Sequence, residues 1–303
     1  MIDPSGADVL SFAFTECSTK SVAAIATLVS VYGNCPRRIG TQMAIASDGS
    51  YVGSISSGCL ERAIVNHARS LIEQEKGDLV RYGKGSKYLD ITLPCGSGVD
   101  ILYSIISEPT PLQQALDSLM VRKPCALKFE KSGVSAAASQ TNSWRDNQFS
   151  RCYLPRLRII AAGNGIELIT LSRLVKAAGY QPLSLSSENY ILNKCSGETQ
   201  LLASSTSLPP LELDKWSAFV FLFHDREWEL ALAKPVLESN TFYIGAVGSK
   251  ITHYARLQDL MSIGVTETQL SRLRAPIGLI PSTRDPSSLS VSILADIVSA
   301  WPY

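Results

Sequence analysis

From residue 158 onward the chain alternates apolar β-rich runs with amphipathic helical stretches, and that alternation leaves few folds open. Arg158-Ile159-Ile160-Ala161-Ala162 enters the tight turn Gly163-Asn164-Gly165. Residues 166–178 then repeat apolar positions at helical spacing through Ile166, Ile169, Leu174 and Ala177, Gly179 ends the helix, and 183–186 resume a strand. Strands over 218–223 and 242–247 and helices over 227–238 and 250–263 continue the series. A last helix is opened by Asp285-Pro286 as N-cap and first residue, with Leu289, Ile293, Ile297 and Ala300 apolar. Repeated strand–helix–strand units predict an α/β fold with a parallel sheet covered by helices on both faces.

In such open sheets ligands gather at the carboxyl ends of the strands. Gly163, Gly165, His224, Gly248 and Ser249 fall there and are candidate ligand contacts. His224 can equally be an ordinary residue at a helix start, with Asp225 as the cap. The half is Rossmann-like, but its dinucleotide fingerprint is incomplete. Leu168 stands in place of the third glycine, and Ser186 ends the second strand where a carboxylate would hold the ribose, with Glu188 just beyond. NAD(P) binding is therefore not expected.

The first half is organised around Gly53-Ser54-Ile55-Ser56-Ser57-Gly58-Cys59-Leu60-Glu61. Two short strands, 43–47 and 51–56, are joined by Asp48-Gly49, a tight hairpin signal. Leu60, Ile64, Ala68, Leu71 and Ile72 then recur at helical spacing. Gly58 reads as the N-cap with Glu61 three residues on, which puts Cys59 in the first turn, where free N–H groups and the helix dipole favour a thiolate. The alternative is a small buried apolar plug.

Two other turns carry candidate donors. Gly33-Asn34-Cys35-Pro36-Arg37-Arg38 presents Arg37 and Arg38, forked donors suited to phosphate or carboxylate, or else an ordinary solvated loop. Cys95-Gly96-Ser97-Gly98 sets a second cysteine in a glycine-rich turn before a strand at 99–106 and can offer N–H groups to an anion, or be a plain turn. A helix over 112–120 and a strand over 125–130 follow. Residues 132–150, rich in Ser and Ala and without clear periodicity, read as connecting chain. The expected division is an α/β cofactor-binding domain at 1–108, a connector at 109–155 and the Rossmann-like domain at 156–303.

Composition excludes several classes. A chain of 303 residues is long for one core and suggests two. A formal net charge of +1 gives no reason to expect nucleic acid or an anionic membrane as partner. The seven cysteines, Cys17, Cys35, Cys59, Cys95, Cys125, Cys152 and Cys195, are odd in number and contain no Cys-x-x-Cys pair, which argues against a disulfide framework or zinc ribbon and for a reducing compartment. No apolar run reaches membrane-spanning length, so a cytoplasmic protein without integral membrane association is expected.

Taken in order, Gly33 to Arg37, Gly53 to Glu61, Cys95-Gly96-Ser97-Gly98, Gly163-Asn164-Gly165, His224-Asp225, Ile244-Gly245-Ala246-Val247-Gly248-Ser249-Lys250, Pro276-Ile277-Gly278-Leu279 and Ser292-Ile293-Leu294-Ala295-Asp296 resemble the XdhC/CoxI family. The resemblance implies an accessory protein that binds the molybdenum cofactor (molybdopterin), supports its sulfuration and delivers it to a xanthine dehydrogenase-type molybdenum hydroxylase. That is a chaperone rather than an enzyme, with no catalytic residue assigned. It places the cofactor cysteine, and a metal ligand, on Cys59. Ser57, Gly58, Glu61, Arg37, Arg38, Cys95, Gly96, Gly163, Gly165, His224, Gly248 and Ser249 are the further cofactor-binding candidates. Implied partners are an apo molybdenum hydroxylase and a cysteine desulfurase, and a homo-oligomer, most simply a homodimer, is expected. The chain departs from the family at Ser57-Gly58 (a glycine pair there), at Ile166 (a histidine) and at Ser186 (an acidic residue). The rival reading is an NAD(P)-dependent oxidoreductase in which His224 moves a proton, and a plain scaffold is a third.

Overall fold

The computed structural model describes residues 6–20, 22–33, 37–56, 58–86, 96–138, 141–223, 226–283 and 285–301. The chain forms two compact units, the first ending at Pro155 and the second beginning at Arg156.

In the first unit, α1 (Gly6–Lys20), β1 (Ala23–Tyr32), β2 (Gln42–Ile45), β3 (Tyr51–Gly53), α2 (Glu61–Glu73), β4 (Asp78–Gly83) and β5 (Gly98–Ile106) surround one antiparallel sheet of order β3-β2-β1-β5-β4. Alternate residues of β1 face opposite sides, and both sides are buried. Ala24, Ala26 and Leu28 pack with Ile64, Ala68, Leu71 and Ile72 of α2. Ala23 and Ile25 pack with Val9, Leu10 and Ala13 of α1. This double burial is why β1 reads as a continuous apolar run.

The expected connector at 109–155 is folded into this unit. It comprises α3 (Thr110–Met120), β6 (Cys125–Glu130), β7 (Gly133–Ala136), β8 (Ser143–Arg145) and β9 (Gln148–Tyr153), the strands forming a second antiparallel sheet of order β7-β6-β9-β8. Leu127, Phe129, Phe149 and Tyr153 join the α1 core. Full burial of a phenylalanine stabilises by about 1.5–3 kcal/mol, so few anchors are needed to hold short strands. Asp146 and Asn147, at φ 51° and 60°, turn β8 into β9. That two-residue hairpin was the available sequence signal within an otherwise small, polar stretch.

The second unit contains β10 (Arg158–Ala162), α4 (Ile166–Ala177), β11 (Gln181–Ser186), α5 (Asn189–Leu192), β12 (Glu198–Leu201), β13 (Ser217–Phe221), α6 (Arg226–Glu238), β14 (Tyr243–Ala246), α7 (Lys250–Ser262), α8 (Glu267–Leu270), β15 (Leu273–Arg274) and α9 (Pro286–Ala300). Its sheet, β12-β11-β10-β13-β14-β15, is parallel throughout. Ile160, Ala162, Phe219, Phe221, Ile244 and Ala246 pack on one face, and Ile159, Ala161, Ala218, Val220 and Tyr243 on the other. Strand order reverses between β10 and β13, the topological switch point. Asp285 caps α9 as the sequence predicts, its Oδ1 accepting from the Ser288 N–H at 2.8 Å. Among the described residues no helix is long and apolar enough to cross a membrane.

Candidate functional site

Strand register gathers the first unit's motifs. Tyr32 at the end of β1 and Gly83 at the end of β4 both pair with Gly98 at the start of β5, while Met43 near the start of β2 pairs with Gly53 at the end of β3. The loops 33–41, 54–60 and 84–97 therefore leave the same end of one sheet. Gly33 lies against the third of them: at φ 91° its position leaves only 3.4 Å between an added Cβ and Ser97 Cα. Arg37 is half-buried and Arg38 exposed in the first loop. Gly96, at φ 64°, has no described atom within 4 Å of where a side chain would start. Ser57 and Cys95 lie outside the described residues.

Glu61 organises the loop that precedes it. Its Oε1 accepts hydrogen bonds from Ser54 Oγ (2.8 Å), the Ile55 N–H (3.1 Å) and the Ser56 N–H (2.9 Å). Its Oε2 accepts from Ser56 Oγ (2.5 Å) and the Gly58 N–H (2.7 Å). Burial alone would raise the pKa of this carboxyl, but the hydrogen bonds from Ser56 and Ser54 outweigh it and bring it down to about 2. Gly58 and Glu61 thus make the bond expected of a capping pair, yet the helix starts later than the sequence predicts. Leu60 is the N-cap, its N–H donating to Ser56 Oγ at 2.6 Å, and the first helical residue is Glu61 itself.

Cys59 accordingly precedes the helix rather than sitting in its first turn as the sequence predicts. Nor is it a buried plug, because its thiol is exposed and free. Three N–H groups of this loop, from Ile55, Ser56 and Gly58, are committed to Glu61, which makes Glu61 the residue that shapes the loop. Gly58, at φ 112°, has no described atom within 4 Å of where a side chain would start. His67 is no partner for that thiol. Its Nε2 lies 3.6 Å from Asp78 Oδ2, at the start of β4, whereas the Cys59 loop is at the end where β4 finishes.

In the second unit, Gly163 is pressed against Leu222, which leaves no room for a side chain. Asn164 between the two glycines reaches across to the end of β11. Its Oδ1 accepts from Ser186 Oγ (2.8 Å) and the Ser187 N–H (3.2 Å), and its Nδ2 donates to Ser187 Oγ (2.9 Å). The carboxylate of Glu167 folds over Gly165, where any added side chain would collide with it. The start of α4 is thus supplied with an anion by the chain itself. Ser249 caps α7, accepting from the Thr252 N–H at 3.1 Å, and with Gly248, Glu167 and residues 276–283 and 285–286 it lines a cleft of about 770 Å³. Gly248 and Ser249 are thereby brought together with the start of α4, while His224 lies outside the described residues. Ser54, Ser56, Asn164 and Glu167 were not among the candidates read from the sequence. Asn164 and Glu167 sit inside the motif itself, but their roles depend on partners elsewhere in the turn.

The chain matches the XdhC and CoxI family over residues 18–83, a span holding Arg37, Arg38, Cys59 and Glu61, and the XdhC Rossmann domain over residues 159–297. It is 31% identical over 294 residues to the molybdenum cofactor insertion chaperone PaoD of Escherichia coli (strain K12), covering 96% of this chain and 87% of that protein. It is 21% identical over 314 residues to a probable xanthine dehydrogenase subunit of Bacillus subtilis (strain 168), covering 91% and 92%. Its fold resembles a crystal structure of a xanthine dehydrogenase from Bacillus halodurans, with TM-score 0.77 at 20% identity over 98% of this chain and 96% of that one. Both units are matched and the alignment to a relative at 31% identity runs nearly end to end, so the chain belongs to the XdhC and CoxI family.

Proposed function

We propose that this protein is a carrier that binds the molybdenum cofactor at the Cys59 loop, supports its sulfuration and delivers it to a xanthine dehydrogenase-type molybdenum hydroxylase. The name of its relative PaoD supports the general role of a molybdenum cofactor insertion chaperone. The observation that carries the reading is the exposed, free Cys59 on a loop held from behind by Glu61. Sulfur is a soft donor suited to a metal centre, and Cys59 is the residue proposed to meet it. Arg37 and Arg38, whose loop leaves the same end of the sheet, are proposed to hold the cofactor's phosphate by charge-assisted hydrogen bonds. Glu61, with both oxygens engaged by the loop, positions Cys59 and is not itself a ligand. Sulfuration is assigned to a partner such as a cysteine desulfurase, and release to docking on the apo-hydroxylase.

Molybdenum and pterin are to be measured on the full chain purified from a cofactor-producing host, alongside activation of an apo-hydroxylase. Wild type is expected to carry cofactor or transfer it when loaded, and Cys59→Ala to do neither with its melting temperature unchanged. Equal retention by Cys59→Ala would overturn the assignment of the cargo to this loop. Light scattering of the chain with the apo-hydroxylase tests the delivery step, for which at least transient association is required.

A further inference from the structure

The second sheet of the first unit grips the loop that carries Arg37 and Arg38. Arg151 of β9 is half-buried, and its Nη1 donates to the Gly40 carbonyl at 2.5 Å and to Gln42 Oε1 at 2.8 Å. Gln42, buried at the start of β2, also accepts from the Tyr153 hydroxyl at 2.5 Å, and its Nε2 donates to Thr27 Oγ1 of β1 at 2.9 Å. The amide is engaged at both ends, which fixes the acceptor that Arg151 meets. Gly40, at φ 91°, lies against the Phe149 ring, whose Cζ would be 3.0 Å from an added Cβ. The backbone around it is closed as well. The Gly40 N–H donates to the Leu28 carbonyl at 2.7 Å and the Leu28 N–H to the Thr41 carbonyl at 2.9 Å, while the Arg38 carbonyl accepts from both the N–H and the hydroxyl of Thr41. Arg38 therefore leaves from a turn fastened on one side to β1 and on the other to β9. Both acceptors of Arg151 are neutral, so the brace itself introduces no carboxylate to compete with an incoming anion.

We propose that Arg151 is a positioning residue for the cofactor's phosphate, holding residues 37–41 so that the guanidinium groups of Arg37 and Arg38 meet that anion. This rests on the carrier reading, and within it on Arg37 and Arg38 as the phosphate donors. Arg151 acts through the loop rather than on the ligand, because its Nη1 is engaged by Gly40 and Gln42 and its Nη2 lies 3.1 Å from where a side chain on Gly6 of α1 would start. Forked donors bind phosphate well only when held in the geometry it requires, and a loop that must first be ordered loses affinity by that cost. β9 lies outside both spans that match the family, so the brace comes from the stretch that the sequence presents as connecting chain.

The test is an anaerobic titration of the full chain with molybdopterin, read by pterin fluorescence, in wild type, Arg151→Met, Arg37→Gln/Arg38→Gln and the triple variant. Saturable binding by wild type is expected, weakened about tenfold by Arg151→Met. The triple variant should bind no more weakly than Arg37→Gln/Arg38→Gln, because a residue that acts through the two arginines then has nothing left to position. Affinity should also fall less steeply with added salt in Arg151→Met than in wild type, a readout that lost stability alone would not move. Wild-type binding with Arg151→Met unchanged, or a triple variant weaker than the double, would overturn the inference and leave the carrier reading standing. No binding by wild type would remove both. Should Arg151→Met not fold, Arg151→Lys, which keeps the charge but not the fork, should weaken binding severalfold, and affinity equal to wild type would overturn the positioning role.

Discussion

The Gly58 N–H donates to Glu61 Oε2 at 2.7 Å, tying the residue before the exposed Cys59 thiol to the first residue of α2. The loop is thereby closed from both sides of Cys59. The same carboxylate takes four further hydrogen bonds from Ser54, Ile55 and Ser56, so a single side chain determines how the cysteine is presented.

Glu61→Gln is expected to lower stability by about 1–3 kcal/mol, because one end of the amide becomes a donor facing other donors. Thermal melting measures this. At a temperature well below the variant's melting point, Cys59 alkylation should change rate and cofactor retention should fall. A lower melt with both of those unchanged would reduce Glu61 to a purely structural role.

The same carboxyl sets a pH dependence. Its folded pKa lies at about 2, below the ordinary 4.5, so its contribution is fully present above about 4.5 and is lost as the pH falls toward 2. The stability difference between wild type and Glu61→Gln should therefore be largest near neutral pH and shrink between about pH 5 and pH 2. Denaturant unfolding at several pH values measures it, and a difference that grows on acidification would contradict the assignment.

NAD(H) and NADP(H) are expected not to bind at low-micromolar concentration. Ser186 and Ser187 are engaged by Asn164 where a ribose would need a carboxylate, and Glu167 covers the start of α4 where pyrophosphate would lie. Calorimetric titration decides this. Low-micromolar affinity for either nucleotide would restore the oxidoreductase reading.

Phe149→Ala tests whether residues 109–155 belong to the first core. Phe149 is 1% exposed and packs with α1, so truncation should cost about 3–5 kcal/mol in denaturant unfolding. A change under about 1 kcal/mol is the outcome expected of a loose connector.

The features legible from the amino-acid order are local in origin. The switch between strand and helix periodicity specified the parallel second unit. Asp285 with Pro286 marked the start of α9, and Leu60, Ile64, Ala68, Leu71 and Ile72 marked the buried face of α2. Each depends on neighbours within a turn or two. The later start of α2, at Glu61, emerged only on folding, because Ser54 and Ser56 draw that carboxylate back into the preceding loop. The pairing of Tyr32 with Gly98 and of Met43 with Gly53 brought three separated loops to one end of a sheet, and the burial of Phe129 and Phe149 made a sheet of a polar stretch. These outcomes rest on hydrogen bonds and apolar contacts set by the folded chain, many of them between residues far apart, which no local pattern records.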